Sequence, residues 1–89
     1  MPQDVLQRIA WSGTPVDQGE CFRLVKDKRL AVCRLFTHQF GWELRLEVDE
    51  DLVRSEICRS QNSVFETFEA WRARLIDKGW NSKRKEQDR

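Results

Sequence analysis

The chain has 89 residues, 39% hydrophobic and 35% charged, which suits one folded domain with a single core and argues against a disordered polymer or two independent domains. Net charge is +1, but residues 81–89 carry four basic and two acidic side chains, so residues 1–80, with twelve basic and thirteen acidic, stand at −1. That balance excludes the global basic footprint of a nucleic-acid binder and leaves only a local patch to serve such a role.

No apolar run approaches the ~20 residues needed to span a bilayer, and the first ten residues lack the apolar stretch of a signal peptide, so a cytoplasmic protein without membrane contact is expected. Cys21, Cys33 and Cys58 are odd in number and widely spaced, which fits reduced thiols rather than a disulfide framework.

In chain order, Val5, Leu6 and Ile9 follow Asp4 at helical spacing, although the same letters also read as an extended lead-in to Trp11, which would plug one edge of the core. Residues 12–19 (S-G-T-P-V-D-Q-G) have the composition of a loop. A first strand is expected over 20–26, a two-residue turn at Asp27 and Lys28, and a second strand over 29–37. After a turn at 38–41, Trp42, Leu44, Leu46 and Val48 alternate with Glu43, Arg45 and Glu47, the period of a strand with one buried face. Asp49 and Glu50 then turn the chain into a fourth strand, 51–59.

These turns fix a register. With Lys26 opposite Arg29, Thr37 opposite Trp42 and Val48 opposite Asp51, one face collects Phe22, Leu24, Ala31, Cys33, Leu35, Trp42, Leu44, Leu46, Val53 and Ile57, a set that a one-residue slip would scatter. Ser63 and Glu66 have the spacing of a capping box, and Val64, Phe68, Trp71 and Leu75, widened by Phe65 and Ile76, form the apolar stripe of a helix that covers this face. Gly79 is placed as the left-handed residue ending that helix, with Trp80 folding back on its last turn. Residues 81–89 lack an apolar anchor and read as a disordered charged tail.

The opposite face carries the functional candidates. The same register sets Arg34 opposite Arg45 and Arg45 opposite Arg54, with Arg23 one step diagonal. Such a row would bind phosphate or an acidic partner. Alternatively Glu43, Glu47 and Glu56 neutralise it as a solvated checkerboard, the commoner arrangement for surface charges. Cys21, Val25, Leu30, Val32 and Phe36 share that face, and one helix covers only one side of a sheet, so this strip needs the N-terminal segment, a second copy or another protein as its cover.

Other chemistry finds little support. Cys33 points into the expected core while Cys21 and Cys58 point outward on distant strands, which does not assemble a tetrahedral metal site. His38 has no expected catalytic partner, and no paired carboxylates in an apolar setting, phosphate loop or cofactor motif is visible. Trp42, Trp71 and Trp80 fall at core or cap positions, which leaves Phe36 as the one outer aromatic for base stacking. The basic run Lys83-Arg84-Lys85 is broken by Glu86 and Asp88 and reads as a solvated segment.

The strand-then-helix order resembles the double-stranded RNA-binding domain. That family has a basic cluster where its last helix begins, whereas this one begins Val64-Phe65-Glu66-Thr67-Phe68-Glu69, so its function is not carried over. Residues 40–46 (F-G-W-E-L-R-L), 52–55 (L-V-R-S) and 70–80 (A-W-R-A-R-L-I-D-K-G-W) resemble small bacterial proteins usually labelled uncharacterised, a likeness that implies no activity, cofactor or site.

The expectation is thus an α+β domain, a four-stranded antiparallel meander with one C-terminal helix on one face, comprising a lead-in (1–19), a ββββα domain (20–80) and a tail (81–89). Its expected role is non-enzymatic, either contact with a protein partner or a homodimer through Val32, Arg34, Phe36, Arg45 and Arg54, or else anion or nucleic-acid binding through the Arg row and basic tail. No cofactor or metal is expected.

Overall fold

The computed structural model describes residues 13–82, which run β1 (Asp17–Lys26), β2 (Arg29–His38), β3 (Gly41–Val48), β4 (Asp51–Cys58), α1 (Gln61–Asp77) and β5 (Asn81–Ser82). The class is α+β, with one antiparallel sheet in the order β4-β3-β2-β1-β5. No helix among the described residues is long and apolar enough to cross a membrane. The two readings of residues 1–10, the role of Trp11 and the basic run at 83–85 lie outside the described residues.

The central hairpin follows the alternation of its residues. Ala31↔Val48, Cys33↔Leu46, Leu35↔Leu44 and Thr37↔Trp42 pair as the turn lengths require, and the β1–β2 turn gives Lys26↔Arg29, Leu24↔Ala31 and Phe22↔Cys33. Asp49 and Glu50 both adopt positive φ (53° and 76°), as a type I′ turn demands even without glycine. Asp49 repays that conformation by accepting from the Leu30 backbone N–H (3.0 Å) and from Arg29 Nε (3.1 Å), which ties this turn to the start of β2.

The sheet has five strands rather than four. Asn81 and Ser82, expected in the tail, pair with Val25 and Leu24 of β1. β1 itself begins at Asp17 rather than Glu20, because the Asp and Gly that suggested a loop build a bulge instead. Gly19 has φ 117° and donates its N–H to Asp17 Oδ1 at 2.8 Å.

Two further bulges change faces. Between Glu20 and Phe22 the register shifts, so Cys21 is the extra residue and packs against the core instead of pointing outward. Between Leu46 and Glu47 the partner strand moves from Arg54 to Leu52, which makes Val53 the extra residue of β4. From there Arg54, Glu56 and Cys58 lie on the helix side, opposite Leu46, Leu44 and Trp42, while Ser55 and Ile57 lie on the outer side, opposite Arg45 and Glu43. The expected core positions Val53 and Ile57 are consequently exposed, and Cys58 is buried in their place. The chain leaves β4 at Cys58 to enter α1, and Cys58 is the one buried residue of that strand.

Helix α1 is capped by Ser60, whose Oγ accepts from Ser63 N at 3.1 Å, so the expected Ser63–Glu66 capping box is replaced by a cap three residues earlier. Val64 and Trp71 are buried, with Phe68 and Leu75 packed beside them on Phe22, Leu24, Ala31, Cys33, Leu44 and Leu46. Phe65 and Ile76 do not widen that stripe and stay exposed. At the other end Gly79 (φ 104°) donates to Ile76 O at 3.0 Å and Trp80 N to Leu75 O at 3.1 Å, the paired bonds of a Schellman ending, and Trp80 is buried.

Candidate functional site

Four of the five sequence-derived candidates share the sheet's outer face. Arg34 pairs with Arg45 across β2 and β3, Phe36 lies opposite Glu43, and Val32 opposite Glu47. Arg54 does not join them. The Val53 bulge turns it to the helix side, where its guanidinium lies 5.2 Å from the Trp71 ring centroid.

The arginines of the outer face carry their own counterions. Arg34 approaches Asp17 at 3.4 Å and Glu20 at 3.6 Å. Arg23 donates to the Glu20 carboxylate through Nε at 3.0 Å and also through Nη2. Arg45 binds Glu43 at 3.1 Å and stacks 4.2 Å from the Phe36 ring centroid, with its Nε buried and without a hydrogen-bond partner. Among the described residues, Glu43 is the one expected neutralising residue found in an ion pair of this row. Asp17 and Glu20 act instead, brought alongside by the early start and bulges of β1, while Glu56 lies on the other face. The result is a nearly neutral mosaic, a poor cradle for a polyanion and a suitable rim for a protein contact. Val32 sits in its floor, 6% exposed, beside a depression of about 460 Å³ lined by Arg23, Leu30, Arg34, Glu47, Asp49 and Glu50.

The larger apolar exposure lies next to this face, on β4. Leu52 and Val53 are each 56% exposed and Ile57 41%. Among the described residues β4 pairs with β3 alone, so its other side presents backbone N–H and C=O groups without a ladder. No ion pair joins Arg54 or Glu56 to another described residue. The sequence placed Val53 and Ile57 in the core, and that even alternation hid this surface. Its one legible signal was that Arg54, Glu56 and Cys58 offer a second possible frame.

The cysteines also change place. Cys33 and Cys58 are buried and Cys21 half-buried. Interaction with the Cys33 thiol holds the Cys21 thiol below its ordinary pKa against the opposing effect of burial, and interaction with Cys21 together with burial pushes Cys33 upward. Cys58 meets the Thr67 hydroxyl at 3.9 Å. The three are thus gathered around one core rather than dispersed, and all are free thiols. Among the described residues no group of three or more His, Cys, Asp or Glu is arranged to hold a metal ion.

Compared with protein-family models, curated proteins and solved structures, the chain matches none.

Proposed function

We propose that this chain is a non-enzymatic protein-interaction module, with the outer side of the sheet and its β4 margin as the contact surface. The observation that carries this reading is the exposure of Leu52, Val53 and Ile57 on a strand that is paired on one side only among the described residues. A polypeptide that adds to such a margin gains backbone hydrogen bonds and apolar burial together. The adjoining mosaic of Arg34, Arg45, Asp17, Glu20 and Glu43 supplies the polar rim such contacts usually have. Because each arginine of that mosaic already faces a carboxylate, the anion-binding alternative has less to rest on.

The test is a photo-crosslinking residue placed at position 57 of the full chain in living cells, with position 73, exposed on α1, as the control. Discrete adducts at 57 and none at 73 are expected. Equal adducts at both positions, or none at 57, would overturn the reading.

A further inference from the structure

Residues 53–57 read Val-Arg-Ser-Glu-Ile, a sequence whose charges and apolar residues exchange when it is reversed. If a second copy of β4 is laid antiparallel along the free margin with Ser55 opposite Ser55, Arg54 falls opposite Glu56 of the second copy and Glu56 opposite its Arg54. Val53 then meets Ile57, twice. Moving the axis one residue in either direction sets Arg54 against Arg54 or Glu56 against Glu56, and directly opposed like charges are unfavourable. Placing it between Arg54 and Ser55 pairs Val53 with Glu56 and leaves both charges without a partner.

The faces agree as well as the charges. Arg54 and Glu56 lie on the helix side, opposite Leu46 and Leu44, while Ser55 and Ile57 lie on the outer side, opposite Arg45 and Glu43. A two-fold axis normal to the sheet at Ser55 matches each side with itself, so both helices stand on one face and the two outer mosaics become continuous. Arg54 and Glu56 have no ion pair within the chain among the described residues, so this pairing gives each a partner it lacks. Val53 and Ile57, exposed in the single chain, cover each other.

We propose that β4 pairs with β4 of a second copy of this chain, antiparallel about Ser55, to form a symmetric dimer with one continuous sheet. The proposal rests on the interaction reading above and names its partner. Charged residues and a bulge on an edge strand ordinarily repel other strands. Here the charges repel most registers and accept one, so the same residues that guard the margin select its occupant.

The experiment uses charge reversal in the full chain, read by sedimentation velocity over a range of concentrations. The unmodified protein is expected to shift toward twice the chain mass as concentration rises. Glu56→Arg and Arg54→Glu each turn two attractive pairs into two repulsive ones, and each alone is expected to weaken association about tenfold or more. An equimolar mixture of the two variants restores opposite charges at both positions and is expected to form the heterodimer. Circular dichroism of each variant separates loss of pairing from loss of fold, and the double variant R54E/E56R, which restores both pairs within one chain, is expected to dimerise again.

A dimer that ignores both reversals would overturn this pairing and leave the interaction reading standing. A chain that stays monomeric while position 57 crosslinks to another protein would overturn the self-pairing alone. A monomer without adducts at 57 would overturn both.

Discussion

The two margins of the sheet are finished in different ways. At the β1 margin the chain returns after α1: the Schellman turn delivers Trp80 into the core, Lys26 Nζ donates to Lys78 O at 2.9 Å, and Asn81 and Ser82 pair with Val25 and Leu24. The rest of β1 is broken by two bulges, and its charged residues Asp17, Glu20 and Arg23 are engaged in ion pairs. β4 has one bulge, exposed Leu52, Val53 and Ile57, and charged residues, Asp51, Arg54 and Glu56, that form no ion pair with another described residue. Own-chain pairing thus occupies the Leu24–Val25 end of the β1 margin, whereas among the described residues no strand pairs with the outer edge of β4. The contrast therefore supports the proposed contact surface more strongly than the composition of either strand does.

The strongest way to break the contrast is to undo the closed margin. Replacing Trp80 with Ala empties a site only 6% exposed, and the expected cost is about 3 kcal/mol in denaturant unfolding. Hydrogen exchange at Leu24 and Val25, the partners of β5, should accelerate more than exchange along β4. Equal acceleration at both margins would mean that Trp80 supports the whole core rather than one edge.

A second test acts on the open side. At Gly41, where φ is 138°, an added Cβ would lie 2.5 Å from the Cys58 carbonyl oxygen, at the point where β3 and the end of β4 approach each other. Gly41→Ala is expected to cost about 2 kcal/mol and to loosen the β4 end first, as read by the exchange of its amides. A variant of unchanged stability would show that this approach is easily relaxed.

The smallest effect sharpens the comparison through pH. The Leu30 N–H and the Arg29 guanidinium hold the Asp49 carboxyl below its ordinary value of 3.8. The ionised form is thus favoured by folding, so its contribution is complete above that ordinary value and is lost as pH falls toward the lower folded-state value. Asp49 is fully exposed, so the change is small. It is expected as a slightly shallower acid limb of the stability curve in Asp49→Asn, and an identical limb in both proteins would count against it.

The central hairpin was legible because the turn at 38–41 and the alternation from Trp42 to Val48 admit a single register, paired without a bulge from Ala31 to Val48. The helix stripe was legible for the same reason at a different period, and Gly79 with Trp80 marked its end. What escaped was each bulge. Cys21 and Val53 are extra residues that leave composition unchanged, and on β4 both frames are credible, one burying Val53 and Ile57, the other Cys58. The fold decides between them: Cys58, beside the Thr67 hydroxyl of the helix, is the one buried residue of β4, and the rest of the strand is exposed. The same ambiguity decided the site: Val32, Arg34, Phe36 and Arg45 share a face as read, and Arg54 lies across the sheet from them. The short pairing of Asn81 and Ser82 with β1 had no periodicity to announce it, since two residues show none.

Arg54 lies over the ring of Trp71 while it stands one residue from the axis proposed for self-pairing. An indole reports the charge held near it through the colour and yield of its emission. Recruitment of that guanidinium to a carboxylate across the margin would change the light from Trp71 without any added label. The open edge would then be wired to a fluorophore in the core, and dilution of the protein in a cuvette, repeated with Trp71→Phe to identify the source, would follow its occupancy directly.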